Sequence, residues 1–260
     1  MPLRIAAAIQ PQHATKYGDM RDAWLRAEEI GADVVYAWDH FYPLSGDPEG
    51  THFECWTTLA AIAEATERVQ VGALVSCNTY RNPDLLADMA RTLDHISDGR
   101  AILGIGSGWF ERDYTEYGYP FGTVQSRLHE FEDALTRIDA RLAKLKPGPV
   151  NGSLPILIGG SGEKVMLRLV AEHAKIWHAF GDVETIAHKG RVLDEWCAKI
   201  GRDRADLIRS TTLRDPITPE LVRDFVENAG IDEIVVSSSG PDYDSDPLRK
   251  LAAVRDALHG

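Results

Sequence analysis

The chain has 260 residues, 44% of them hydrophobic and 26% charged, an ordinary globular composition at a length that suits one α/β barrel of about 250 residues. Its formal net charge is −12 with no run of Lys and Arg, which argues against nucleic acid or an anionic membrane surface as partner, since both need clustered positive charge. Cys55, Cys77 and Cys197 form no CxxC pair, and no apolar segment approaches the ~20 residues of a membrane span, so the sequence reads as a cytoplasmic protein with reduced thiols.

Two periodicities alternate along the chain. Short apolar, β-branched runs predict strands at 5–9, 34–38, 69–75, 101–105, 155–158, 176–180, 207–211 and 234–237. Runs without strict alternation fit strands buried on both faces of a parallel sheet. Helical stripes separate them. After the third run, Asn82-Pro83 places a cap and a first-turn proline before Leu85, Leu86, Met89, Leu93 and Ile96, and Gly99 closes that helix. The region 102–121, ILGIGSGWFERDYTEYGYPF, reads as a strand that ends in glycines and releases aromatics and charges into a loop. Residues 126–145, 163–173 and 184–200 carry further amphipathic stripes. No linker or low-complexity tract divides the chain, so a single domain over 1–260 is expected. Eight strand–helix units in this length predict a closed (β/α)8 TIM barrel, whose ligand groups should follow the strands.

They do gather there. The successive strands are followed by Gln10-Pro11-Gln12-His13, Asp39-His40-Phe41-Tyr42, Ser76-Cys77-Asn78-Thr79, Gly106–Glu111, Gly159-Gly160-Ser161-Gly162 and His178-Ala179-Phe180-Gly181. The opposite turns, such as Gly31-Ala32 and Ser97-Asp98-Gly99, are short and plain. An Asp-His pair alone could merely cap a helix. The glycines at 159–162 could serve a tight turn or let backbone N–H groups approach an anion at a helix start. A metal hydrolase would need convergent His, Asp and Glu ligands, often HxH on the first strand, and none is present; nor is a GxSxG nucleophile elbow. No metal is expected.

The segments WDHFYP, VGALVSCNTYRNP, LGIGSGWFERDY…YGYPF and PILIGGSGEK…LRLVAEHAKIW, in that order over roughly residues 1–200, resemble the luciferase-like monooxygenase superfamily. Within it they look most like the branch that uses coenzyme F420, an 8-hydroxy-5-deazaflavin. The resemblance implies a bacterial-luciferase-like barrel in which Asp39 and His40 lie beside the deazaflavin ring. His40 would handle the proton, oriented or made more basic by Asp39, with Glu111 as a third catalytic candidate. Ala73 and Leu74 match the family's bulge, commonly with a cis non-prolyl peptide, and Val75 and Ser76 continue that wall. Gly106 and Gly108 would admit the ring, and His13, Trp109 and Phe110 would face the substrate. Gly159, Gly160, Ser161 and Gly162 would receive the cofactor phosphate, with Trp177 and Ala179 completing that pocket. A bulky residue at Gly160 should then weaken cofactor affinity more than folding.

The departures are informative. Leu44 and Trp109-Phe110 replace residues of the family's sugar-phosphate dehydrogenases, so the resemblance implies a substrate other than glucose 6-phosphate. His178 replaces an expected asparagine, and the connection 145–153 is shorter than usual. The pocket should therefore be more open, or completed by a neighbouring subunit in a homodimer. The function implied is hydride transfer between a small organic substrate and F420. The alternatives are a two-component monooxygenase using FMN and a non-catalytic flavin-binding barrel.

Overall fold

The computed structural model describes residues 2–259 and confirms the alternation. Its strand segments are β1 (Arg4–Ile9), β2 (Val34–Ala37), β3 (Gln70–Ala73), β4 (Ser76–Cys77), β5 (Ala101–Gly106), β6 (Ile156–Gly159), β7 (Ile176–Ala179), β8 (Ile208–Leu213) and β9 (Glu233–Ser238). Every pairing is parallel, running β3-β2-β1-β9-β8-β7-β6-β5, and Val71↔Ala101 between β3 and β5 closes the ring. β4 resumes the third strand after an interruption at Leu74-Val75, so the barrel has eight positions.

The helices are α1 (Tyr17–Ile30), α2 (Cys55–Ala65), α3 (Pro83–Ile96), α4 (Glu111–Tyr117), α5 (Val124–Leu142), α6 (Met166–His173), α7 (Val183–Lys199), α8 (Pro219–Asn228) and α9 (Asp246–His259). Asn82 caps α3 through its side-chain oxygen, which accepts from the amides of Asp84 and Leu85. α4 corrects the sequence reading of a loop after Phe110. Its seven residues hold no apolar stripe, and only Asp113 and Tyr114 are buried.

Side chains alternate between two cores, as parallel strands require. One lies between sheet and helices and holds Val35, Ala73, Leu103, Ile158 and Trp177. The other fills the barrel and holds Ala6, Tyr36, Ile102, Leu157, Ile176 and Val235. At the N-terminal rim Glu233, fully buried, accepts from Arg4 Nε at 3.1 Å and from the Tyr36 hydroxyl at 3.1 Å. Arg4 also donates to Gln70 Oε1 at 2.6 Å. This end is plugged by polar groups that bond one another. Among the described residues, no helix is long and apolar enough to cross a membrane.

Candidate functional site

At the opposite rim the strand ends surround a cavity of about 790 Å³. Its wall includes Gln10 after β1, Trp38, Asp39 and His40 after β2, Leu74 to Cys77, Gly106, Gly108 and Trp109 after β5, Phe180 after β7, Thr212 to Asp215 at β8, and Ser237. The volume falls within the range of small-molecule sites. Among the described residues, no group of three or more His, Cys, Asp or Glu is placed to hold a metal ion.

His40 has a partner that the sequence reading did not assign to it. Its Nδ1 lies 2.7 Å from Oδ2 of Asp113, a fully buried carboxylate on α4. The same oxygen accepts from the Tyr80 hydroxyl at 2.9 Å, and Oδ1 accepts from the Phe41 amide at 3.1 Å. A carboxylate at Nδ1 keeps the proton on that nitrogen. Nε2 is then the basic nitrogen, and it makes no hydrogen bond among the described residues. Trp38, Trp109 and Phe110 each meet the imidazole edge to face, at centroid distances of 5.8, 5.8 and 5.5 Å.

Asp39 serves a different group. Its carboxylate receives both terminal nitrogens of Arg81, one at 3.1 Å, and a hydrogen bond from Ser76. Burial pushes this carboxyl up, against the pull of Arg81 and Ser76. The expectation that Asp39 orients His40 is therefore corrected: Asp113 holds the ring, and the Asp39 carboxylate is taken by Arg81. Glu111 is exposed at the start of α4 and does not line the cavity. Behind His40, His52 accepts from the Trp38 indole N–H at 3.1 Å, and burial lowers its pKa to about 4.

The glycines answer to packing first. The Leu74-Val75 peptide is cis, one residue later than expected, since Ala73 still pairs with Ala37 of β2 and faces the helix layer. Leu74 and Val75 then both pack against the barrel interior, and both line the cavity. A Cβ on Gly106 would lie 2.9 Å from Val75 Cγ2, and one on Gly159 would lie 3.1 Å from Val75 Cγ1. These glycines make room for the bulge. Gly160 has φ +138°, and a Cβ there would meet Met166 Cγ at 2.9 Å. A side chain at Gly160 is strained by the backbone alone, so a bulky residue there carries a folding cost besides any cost to cofactor binding.

Gly159 to Gly162 follow β6 on the same rim without lining the cavity. Among the described residues the amides of Ser161, Gly162 and Glu163, just before α6, donate no hydrogen bond. Trp177 and Ala179 stand behind that turn rather than in the cavity wall. Both face the helix layer, and the Trp177 indole donates to the Gly160 carbonyl at 2.7 Å. Their neighbours point inward: His178 bonds Ser210 Oγ at 2.9 Å, and Phe180 lines the cavity. Burial lowers His178 to about 3, so it stays neutral. His13 sits outside the cavity, with Nε2 2.7 Å from the Ser45 carbonyl.

The aromatic content of 102–121 largely builds a scaffold. Phe41 stacks on Tyr117 at 4.0 Å and packs on Tyr80 at 4.8 Å, while Tyr114 meets Tyr80 and Phe121. That cluster fixes α4, and α4 fixes Asp113. Sequence reading missed Arg81 and the pairing of Asp113. Their signals were a lone arginine after the third strand and one aspartate among four charged residues.

Residues 2–214 match the family model for luciferase-like monooxygenases. An uncharacterized protein of Mycobacterium tuberculosis is 25% identical over 225 residues, spanning 76% of this chain and 79% of its own. An F420-dependent glucose-6-phosphate dehydrogenase of Amycolatopsis mediterranei is 43% identical over 123 residues, which is 46% of this chain and 36% of that protein. In structure, the chain is similar to an F420-dependent secondary alcohol dehydrogenase in complex with an F420-acetone adduct. The TM-score is 0.85 at 17% identity, over 99% of each chain. With the matched region covering most of its length, the chain belongs to the luciferase-like monooxygenase family.

Proposed function

We propose that this chain is an F420-dependent oxidoreductase that exchanges a hydride between a small organic substrate, an alcohol or its carbonyl, and the deazaflavin. The carrying observation is the His40–Asp113 pair, which leaves Nε2 as the basic nitrogen of a residue lining the cavity. The names of a relative that aligns with 46% of the chain and of a structure that shares its fold support the cofactor.

The residues present fit such a cofactor. A tricyclic ring suits a cavity of this volume with Leu74 and Val75 in its wall, and the amides of Ser161 to Glu163 would hold a phosphate. When bound, a deazaflavin supplies a carbon that accepts or returns a hydride and reacts sluggishly with oxygen. His40 Nε2 would take the hydroxyl proton of an alcohol as a hydride leaves the carbon that bears that hydroxyl, giving the carbonyl. Asp113, unable to turn away because Tyr80 and Phe41 also hold it, would stabilise the imidazolium that results. Arg81 would keep the buried Asp39 carboxylate compensated in the cavity wall. Leu44 and Trp109 in the wall support a substrate less polar than a sugar phosphate.

The test is equilibrium titration of the purified protein with F420 and with FMN, side by side. F420 should bind at least about tenfold more tightly, a difference of about 1.4 kcal/mol. Tighter FMN binding would replace this reading with an FMN-dependent monooxygenase. Binding of neither would end the cofactor assignment.

A further inference from the structure

The β8–β9–β1 side of the cavity carries polar groups that the proposed hydride chemistry does not use. Among the described residues its wall holds two carboxylates, Asp39 and Asp215, and one guanidinium, Arg214. Asp39 is paired with Arg81, and Asp215 lies 3.3 Å from Lys250 Nζ and accepts from the Ile217 amide. Arg214 is exposed, directly follows β8, and makes no ion pair or hydrogen bond among the described residues. In a chain of net charge −12, a cation in a cavity wall with no internal partner is conspicuous.

Two more unengaged groups stand beside it. The strand register sets Leu213 against Val236 and Ala8 against Ser237, and the Gln10 amide donates to Ser238 O at 2.8 Å. Arg214, Ser237 and Gln10 therefore follow one another across three adjacent strand ends, and all three line the cavity. The Gln10 and Ser237 side chains make no hydrogen bond among the described residues. A guanidinium fork followed across the rim by a hydroxyl and an amide matches an oxyanion, which accepts from all three.

We infer that Arg214, with Gln10 and Ser237, binds the carboxylate or phosphate of a small molecule occupying this cavity. The inference rests on the proposed function only in that a small molecule enters there.

Two binding arms identify the source of the anion, and neither reads turnover. In the first, 4-(1-hydroxyethyl)benzoate and its neutral counterpart 1-phenylethanol are titrated by calorimetry into the protein with and without F420. In the second, F420 and FMN are titrated against riboflavin, which lacks the phosphate. A substrate-borne anion makes the benzoate bind about tenfold or more tightly than the neutral alcohol, the scale of one charged hydrogen bond. Arg214→Gln removes that preference and Arg214→Lys retains most of it. A cofactor-borne anion instead makes Arg214→Gln weaken F420 or FMN about tenfold and leave riboflavin unchanged. If Arg214→Gln, folded by its thermal midpoint, shifts neither arm by more than about twofold, the inference is overturned. Absence of hydride transfer with the arms intact would count against the proposed function alone.

Discussion

The two ends of this barrel use similar side chains to opposite effect. At the N-terminal rim, Arg4, Glu233, Tyr36 and Gln70 are buried or half-buried and hydrogen-bond one another. At the C-terminal rim, Arg81 satisfies Asp39 and Asp113 fixes one side of His40, yet Nε2, Gln10, Ser237 and Arg214 remain unengaged around a large cavity. The same inventory of arginine, carboxylate and ring therefore pairs internally at one end and is left facing a cavity at the other. What separates them is whether the network closes on itself.

The sharpest way to break this comparison is at the closed end. Glu233→Ala strands Arg4 and the Tyr36 hydroxyl in the barrel and should cost about 3–5 kcal/mol in chemical denaturation. F420 affinity should stay within about twofold per folded molecule. A comparable loss of affinity would mean that the two ends are coupled. Next comes Gly160→Val at the open end. Its φ of +138° should cost about 1–3 kcal/mol of stability, read by thermal unfolding, alongside any loss of cofactor binding. An unchanged midpoint would show that the turn relaxes freely.

Acid should act through His52, which the fold holds neutral with a pKa lowered from 6.5 to about 4 by burial. Below pH 6.5 the unfolded chain binds this proton and the folded chain does not, so the contribution is full above 6.5 and is lost as pH falls toward 4. Wild type should lose up to about 1.4 kcal/mol per pH unit more than His52→Gln across that window, measured by denaturation at each pH. Parallel pH profiles would show that His52 titrates normally. The smallest effect belongs to neither end. Arg137→Ala removes the exposed 2.6 Å pair with Asp84 and should change stability by less than about 1 kcal/mol.

Much of the fold was legible because buried parallel strands write themselves as unbroken apolar runs. All eight predicted strands correspond to strand positions, with boundaries displaced by a residue or two. The side-chain facing at β7 was not legible. Trp177 and Ala179 were expected to complete the phosphate pocket, but alternation sends them to the helix layer and turns His178 and Phe180 inward. The bulge defeats the same rule in the other direction, putting Leu74 and Val75 both on the inside. His40 stood out by its place after β2. Its partner did not, because Asp113 is 73 positions away on a short helix without an apolar stripe. Adjacency to Asp39 was misleading because that carboxylate is engaged by Arg81 instead.

The proposed chemistry depends on His40 as the proton-handling group of the open rim. The measurement that reaches it directly is the single-turnover rate of hydride transfer to bound F420, with any alcohol that the wild-type protein oxidises, compared with His40→Ala. The rate should fall by roughly 10²-fold or more while F420 affinity stays within about tenfold. A hydride-transfer rate equal to wild type in the variant would contradict the account and leave His40 as part of the cavity wall only.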